Sequence, residues 1–112
     1  MIFRNCLAVT VFEKDVDAER METYTPHLIH SVYWEEKRGV TVEAGQHSGG
    51  LKPSDSLLVL IPAESITDYL PKPDDIIAKG ELADLPENAY TIREVFDARH
   101  GRRTPHIEVR AI

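Results

Sequence analysis

Tyr90-Thr91-Ile92-Arg93-Glu94-Val95-Phe96, followed by Asp97-Ala98-Arg99-His100-Gly101-Arg102-Arg103 and then His106-Ile107-Glu108-Val109-Arg110-Ala111, is the stretch that decides the fold. Its first part is rich in β-formers. In its last part Ile107, Val109 and Ala111 alternate with His106, Glu108 and Arg110. Alternation of period two puts apolar side chains on one face of a strand and polar ones on the other. The polar segment between, with its single glycine, is a turn. The whole reads as a long β-hairpin with one covered face.

Working outward, the same period recurs along the chain. Leu7, Val9 and Val11 alternate with Ala8 and Thr10 as a first strand. Residues 15–22 are charged and lack an apolar stripe, which predicts a loop or one helical turn. Leu28, His30, Val32 and Trp34 alternate with Ile29, Ser31 and Tyr33 in a second, longer strand, and Val40-Thr41-Val42 resumes after the polar turn Glu36-Lys37-Arg38-Gly39. Residues 57–61 form a short apolar run stopped by Pro62, as expected of a buried strand. Residues 75–78 make another short strand, ending at Gly80. Helical turns are predicted over 65–70 and 81–85, closed by Pro71 and Pro86. The sum is a mainly β chain: a small antiparallel barrel or sandwich of about seven short strands with one or two short helical turns.

Composition narrows the class of function. The 112 residues suit one domain spanning 1–112, with 42% hydrophobic and 29% charged residues. Thirteen Lys and Arg against nineteen Asp and Glu give a net charge of -6, the wrong sign for a general phosphate-backbone binder. The single cysteine, Cys6, excludes an internal disulfide framework and makes a reducing, intracellular setting the expectation. No run approaches the ~20 apolar residues of a membrane helix. The chain therefore reads as soluble and unprocessed.

The candidate chemical motifs fail on their own terms. Asp15-x-Asp17-x-Glu19 opens like a calcium loop, but the positions needing Gly and a bidentate Glu hold Arg20 and Pro26. Gly45 and Gly50 have phosphate-loop spacing, but Leu51 intrudes and Pro53 follows Lys52. His27, His30, His47, His100 and His106 show no ligand spacing. His47 beside Ser48 is adjacency, not triad geometry. No catalytic, cofactor-binding or metal residue is assigned, and no cofactor is expected.

What remains are contact candidates. Arg99, His100, Arg102 and Arg103 form one dense basic cluster at a hairpin tip, on a chain that is otherwise acidic. Such a tip suits a phosphate, a carboxylate or head-to-tail packing against a second copy. Trp34, the only tryptophan, is a core or barrel-end anchor or an interface hot spot. His47 and Lys52 lie in a glycine-rich loop over 44–53, of a composition suited to partner contact.

The order of segments carries a resemblance. Residues 51–62 (Leu-Lys-Pro-Ser-Asp-Ser-Leu-Leu-Val-Leu-Ile-Pro), Val32-Tyr33-Trp34 and Gly39-Val40-Thr41-Val42 resemble a family of small proteins from the head–tail morphogenesis region of tailed phages and prophages. Asp75-Ile76-Ile77-Ala78-Lys79-Gly80 is similar to that family's Asp-Ile-Val-x-Lys-Gly segment. Tyr90-Thr91-Ile92-Arg93-Glu94-Val95 leads to Asp97, a basic turn and Pro105-His106 in the same order. The resemblance implies a non-enzymatic minor capsid protein of the head-closure (stopper) or head–tail connector kind. Such a subunit forms a ring and joins portal or adaptor proteins to the tail. Packaged DNA at most passes through it, no membrane is involved, and it moves from host cytoplasm to the head–tail interface of the virion. The alternative is a small intracellular β-barrel that binds nucleic acid or a protein partner through the basic hairpin 97–104.

Overall fold

Two-residue periodicity becomes six strands in the computed structural model, which describes residues 3–37, 55–101 and 103–112. They are β1 (Cys6–Val16), β2 (Glu22–Lys37), β3 (Ser56–Pro62), β4 (Ile76–Lys79), β5 (Tyr90–Ala98) and β6 (His106–Ala111). All pairings are antiparallel and close into a barrel in the order β1-β2-β3-β6-β5-β4. The expected strand over 40–42 lies outside the described residues, as do His47, Lys52, Arg102 and the glycine-rich loop. The interior is aliphatic: Val9 and Val11 of β1, Ile29 and Val32 of β2, Leu57, Val59 and Ile61 of β3, Ile77, Ile92, Ile107 and Val109. No helix among the described residues is long and apolar enough to cross a membrane.

The alternation does not run in one phase, and this corrects the sequence reading of the second strand. Along β2 the buried residues are Ile29, then Val32 and Trp34. The phase changes at Ser31, whose φ of 61° lies in the left-handed region, rare for a residue with a side chain. On β1 the partner of this corner is Leu7, flanked by the pairs Cys6↔Val32 and Ala8↔His30. The corner turns Leu7 out to 87% exposure, although alternation alone places it with Val9. A register shift between Ile92 and Glu94 does the same on β5 and puts Phe96 outside. The β1–β2 register is the same on both sides of Ser31, so that corner is a bend, whereas the β5 shift is a bulge; bulges help strands coil tightly enough to close a barrel.

Neither helical turn forms where predicted. Among the described residues one 3₁₀ turn occurs, at Ala63–Ser65, and residues 66–70 and 81–85 run irregularly because tertiary partners claim them. Thr10 points outward from β1, yet it is buried under the second of these segments. Its hydroxyl donates to the Gly80 carbonyl (2.6 Å) and accepts from the Leu82 N–H (3.0 Å). Gly80 makes the required bend at φ 95°, a conformation glycine adopts without a side-chain penalty.

The other segment closes the opposite end of the barrel around Asp75, which has no exposed surface. Its carboxylate accepts the Tyr69 hydroxyl (2.5 Å) and the Lys72 N–H (3.1 Å) on one oxygen, and the Lys14 N–H (3.2 Å) on the other. Its backbone joins β5, since Ile92 N–H donates to the Asp75 carbonyl (2.8 Å). Tyr69 in turn stacks on His27, with ring centroids 3.9 Å apart. Burial, reinforced by the hydrogen bond to Asp75 and by the charges of Asp75 and Glu13, pushes the Tyr69 phenol well above its ordinary value.

Because the buried Asp75 carboxylate holds three part-buried donor contacts, removing it leaves all three donors without that acceptor. Asp75→Ala is expected to lower unfolding free energy by about 3–5 kcal/mol in denaturant titration, a large part of a small domain's stability. The phenol adds a pH dependence. An unfolded tyrosine ionises near pH 10 while folded Tyr69 keeps its proton, so its contribution is complete below about pH 10 and falls as pH rises further. Tyr69→Phe should therefore reduce the stability lost above pH 10; an identical alkaline slope in both proteins would contradict the assignment.

Candidate functional site

Three surface features carry charge or apolar exposure in a defined geometry. The first is the arm made by the far ends of β1 and β2. Past Phe12, the last residue of β1 paired to β4, residues 13–16 pair in the ladder only with residues 22–25 of β2 and so lead out from the barrel end as a two-stranded arm. The acidic run that opens like a calcium loop is its turn. Asp17 accepts the N–H groups of Glu19 and Met21 (both 2.9 Å), Arg20 N–H donates to the Asp17 carbonyl (3.0 Å), and Arg20 takes φ 64°. Both flanking apolar residues, Val16 and Met21, are exposed, at 52% and 62%. On sequence alone the charged segment 13–22 suits an arm that reaches neighbours, with a loop or helical turn over 15–22; the structure builds it from the ends of two paired strands instead.

At the base of the arm His27 bonds Glu13 (2.8 Å), and Lys72 reaches the other Glu13 oxygen (3.5 Å). The His27 bond, assisted by Lys72, holds the Glu13 carboxyl below its ordinary value. The outer edge of β2 is also managed. Gly80 N–H donates to the Ala8 carbonyl and Lys14 N–H to Asp75, so even-numbered β1 residues turn their backbone groups away from β2. Their partners Tyr24, Pro26, Leu28 and His30 then face an edge that is unpaired among the described residues. Pro26, which has no N–H, removes one donor from that edge and discourages strand addition there.

The second feature is the β5–β6 tip, site of the basic cluster. Arg99 is not free: its guanidinium clasps the Asp97 carboxylate at 2.9 and 2.8 Å, and its own N–H donates to the same group (3.1 Å). These bonds hold the Asp97 carboxyl down to about 2. His100 and Arg103 are exposed. His106 is turned to the Thr104 carbonyl and Glu108. The structure thus splits the predicted cluster into a turn-forming Arg99 and an outward-facing Arg103.

The third feature is the mouth at the other end of the barrel, where β2, β4 and β6 end and β3 and β5 begin. A pocket of about 610 Å³ opens there, lined by Trp34, Glu36, Asp55, Lys79, Tyr90 and Ile112, with Leu82 and Pro86 on its wall. Trp34 is its floor and is only 7% exposed, the barrel-end anchor of the sequence reading. Its indole N–H donates to Glu36 (2.9 Å), its ring meets Tyr90 edge-on at 6.0 Å, and the Lys79 ammonium lies 5.4 Å from its centre.

Comparison with known proteins adds one relation. The profile of a family of unknown function, DUF6751, matches residues 7–112, nearly the full length. The chain belongs to DUF6751. No curated protein and no solved structure matches this DUF6751 chain. Its surfaces are therefore interpreted from their own chemistry.

That chemistry is directly measurable at the tip. The Asp97 carboxyl should titrate at about 2 by NMR, and Arg99→Gln should return it toward the ordinary value near 3.9. The turn's electrostatic support is then present above pH ~4 and is lost as pH falls through the folded value. An Asp97 titration unchanged by Arg99→Gln would show that the clasp does not form.

Proposed function

We propose that this chain is a non-enzymatic structural subunit of the phage head–tail connector kind, a ring-forming head-completion or stopper protein. Two supports combine. One is the order of sequence segments, which resembles that class across nearly the whole chain. The other, which carries the reading, is a small closed barrel bearing a stiff arm with apolar residues at its end. A ring subunit must stay folded alone and still reach its neighbours. A closed barrel does the first, since it leaves few unpaired edges. The arm does the second: Asp17 fixes its turn before any partner arrives, which reduces the ordering cost of docking. Exposed Val16 and Met21 supply the apolar contact.

The alternative, nucleic-acid binding through hairpin 97–104, has less support. Arg99 is committed to Asp97, which reduces the positive charge the tip offers a phosphate backbone.

The direct experiment is electron microscopy of the protein mixed with purified portal rings. The expected result is an added ring layer on the portal's tail-facing side. The double change Val16→Asp with Met21→Asp should abolish that layer while leaving thermal stability nearly unchanged, because both side chains are solvent-exposed. Failure of the unmodified protein to bind portal, adaptor or tail components would overturn the proposal.

A further inference from the structure

The basic tip and the mouth pocket lie at opposite ends of one strand. β6 starts at His106 beside the tip and runs to Ala111, and the next residue, Ile112, lines the pocket. Six residues of strand separate the two by ~20 Å. The tip of one molecule is therefore held away from its own pocket by the barrel wall.

The two ends are complementary in chemistry. Glu36 and Asp55 are placed on one face of the β2–β3 ladder: Glu36 pairs with Leu57, and Asp55 stands two residues before Leu57, at the diagonal position. Both line the pocket. Trp34 fixes the Glu36 carboxylate by its indole N–H. Lys79 lies over the Trp34 ring, and among the described lining residues its one ammonium faces two carboxylates, which leaves the pocket acidic on balance. Tyr90 adds an aromatic wall. A planar cation on a long apolar stem suits such a pocket, since guanidinium pairs with carboxylates and packs against aromatic rings. The tip presents that group in Arg103, which is exposed, while Arg99 is held by Asp97.

We infer that the mouth pocket receives Arg103 from the tip of a second copy, joining barrels head to tail through Asp55 and Glu36. Because the two surfaces differ, the contact is heterologous and repeats from copy to copy, which is how rings and filaments are generated. The inference deepens the ring-subunit reading and rests on it for its setting. It fails separately: a ring built through another contact would still add a layer to portals with the pocket empty.

Trp34 is the only tryptophan and forms the pocket floor, so its indole N–H resonance reports occupancy. In labelled protein diluted from roughly 1 mM to 20 µM, the range of weak association, that resonance should move along a saturable curve. Asp55→Arg and Arg103→Glu, both at exposed positions, should each weaken the association about tenfold or more, as like charges then meet at the contact. Mixing the two variants should restore it, because each supplies the surface the other lacks. A concentration-independent resonance in the unmodified protein would overturn the inference. So would a shift that both substitutions leave intact, or a mixture no tighter than its components.

Discussion

The carboxylate of Asp75 is the constraint on which this barrel depends. A buried acid must be satisfied by donors, and these come from three places at once: the Tyr69 side chain, the Lys72 backbone and the Lys14 backbone. Lys14 lies where β1 leaves its pairing with β4 and becomes the arm. The same residue thus ends the β1–β4 ladder, seats the 69–72 segment across the barrel end and, through its own carbonyl, joins β5. His27 and Glu13 extend the seal to both strands of the arm by stacking on Tyr69 and bonding Lys72. The arm is thereby tied to the barrel at its root through both of its strands.

Much of the fold was legible in period-two alternation. β6 and the short apolar run of β3 need only that rule, because their ladders lie in the barrel wall with one face inward. Where the rule misleads, a local irregularity of the backbone is the cause. Leu7 and Phe96 look like core residues, yet the corner at Ser31 and the shift at Arg93 turn them outward. No local sequence signal marks Ser31, since a left-handed serine is imposed by closure. The expected helical turns failed for the complementary reason: Tyr69 and Leu82 are drawn to partners distant in sequence, Asp75 and Thr10.

The candidate site was legible in its parts but not in its arrangement. The tip's basic composition, Trp34 as a barrel-end anchor and the acidity of the whole chain can all be read from residue types. That Arg99 closes its own turn while Arg103 faces outward depends on Asp97, two residues from Arg99, and on the turn's geometry. The arm required knowing that β1 outruns β4. The net charge gains meaning only with the topology, which sets the basic tip and an acidic, aromatic mouth at opposite ends of β6. That uneven placement of charge is what the proposed head-to-tail contact rests on.

The measurement that tests the central role of Asp75 most directly is native-state hydrogen exchange at the Lys14 amide. This N–H faces away from β2, on a stretch of β1 that β4 no longer covers, and its acceptor is the Asp75 carboxylate. It should exchange as slowly as the barrel interior, through global opening, and become fast in Asp75→Asn together with the Lys72 amide. A Lys14 amide that exchanges at the rate of an open strand edge in the unmodified protein would contradict the account.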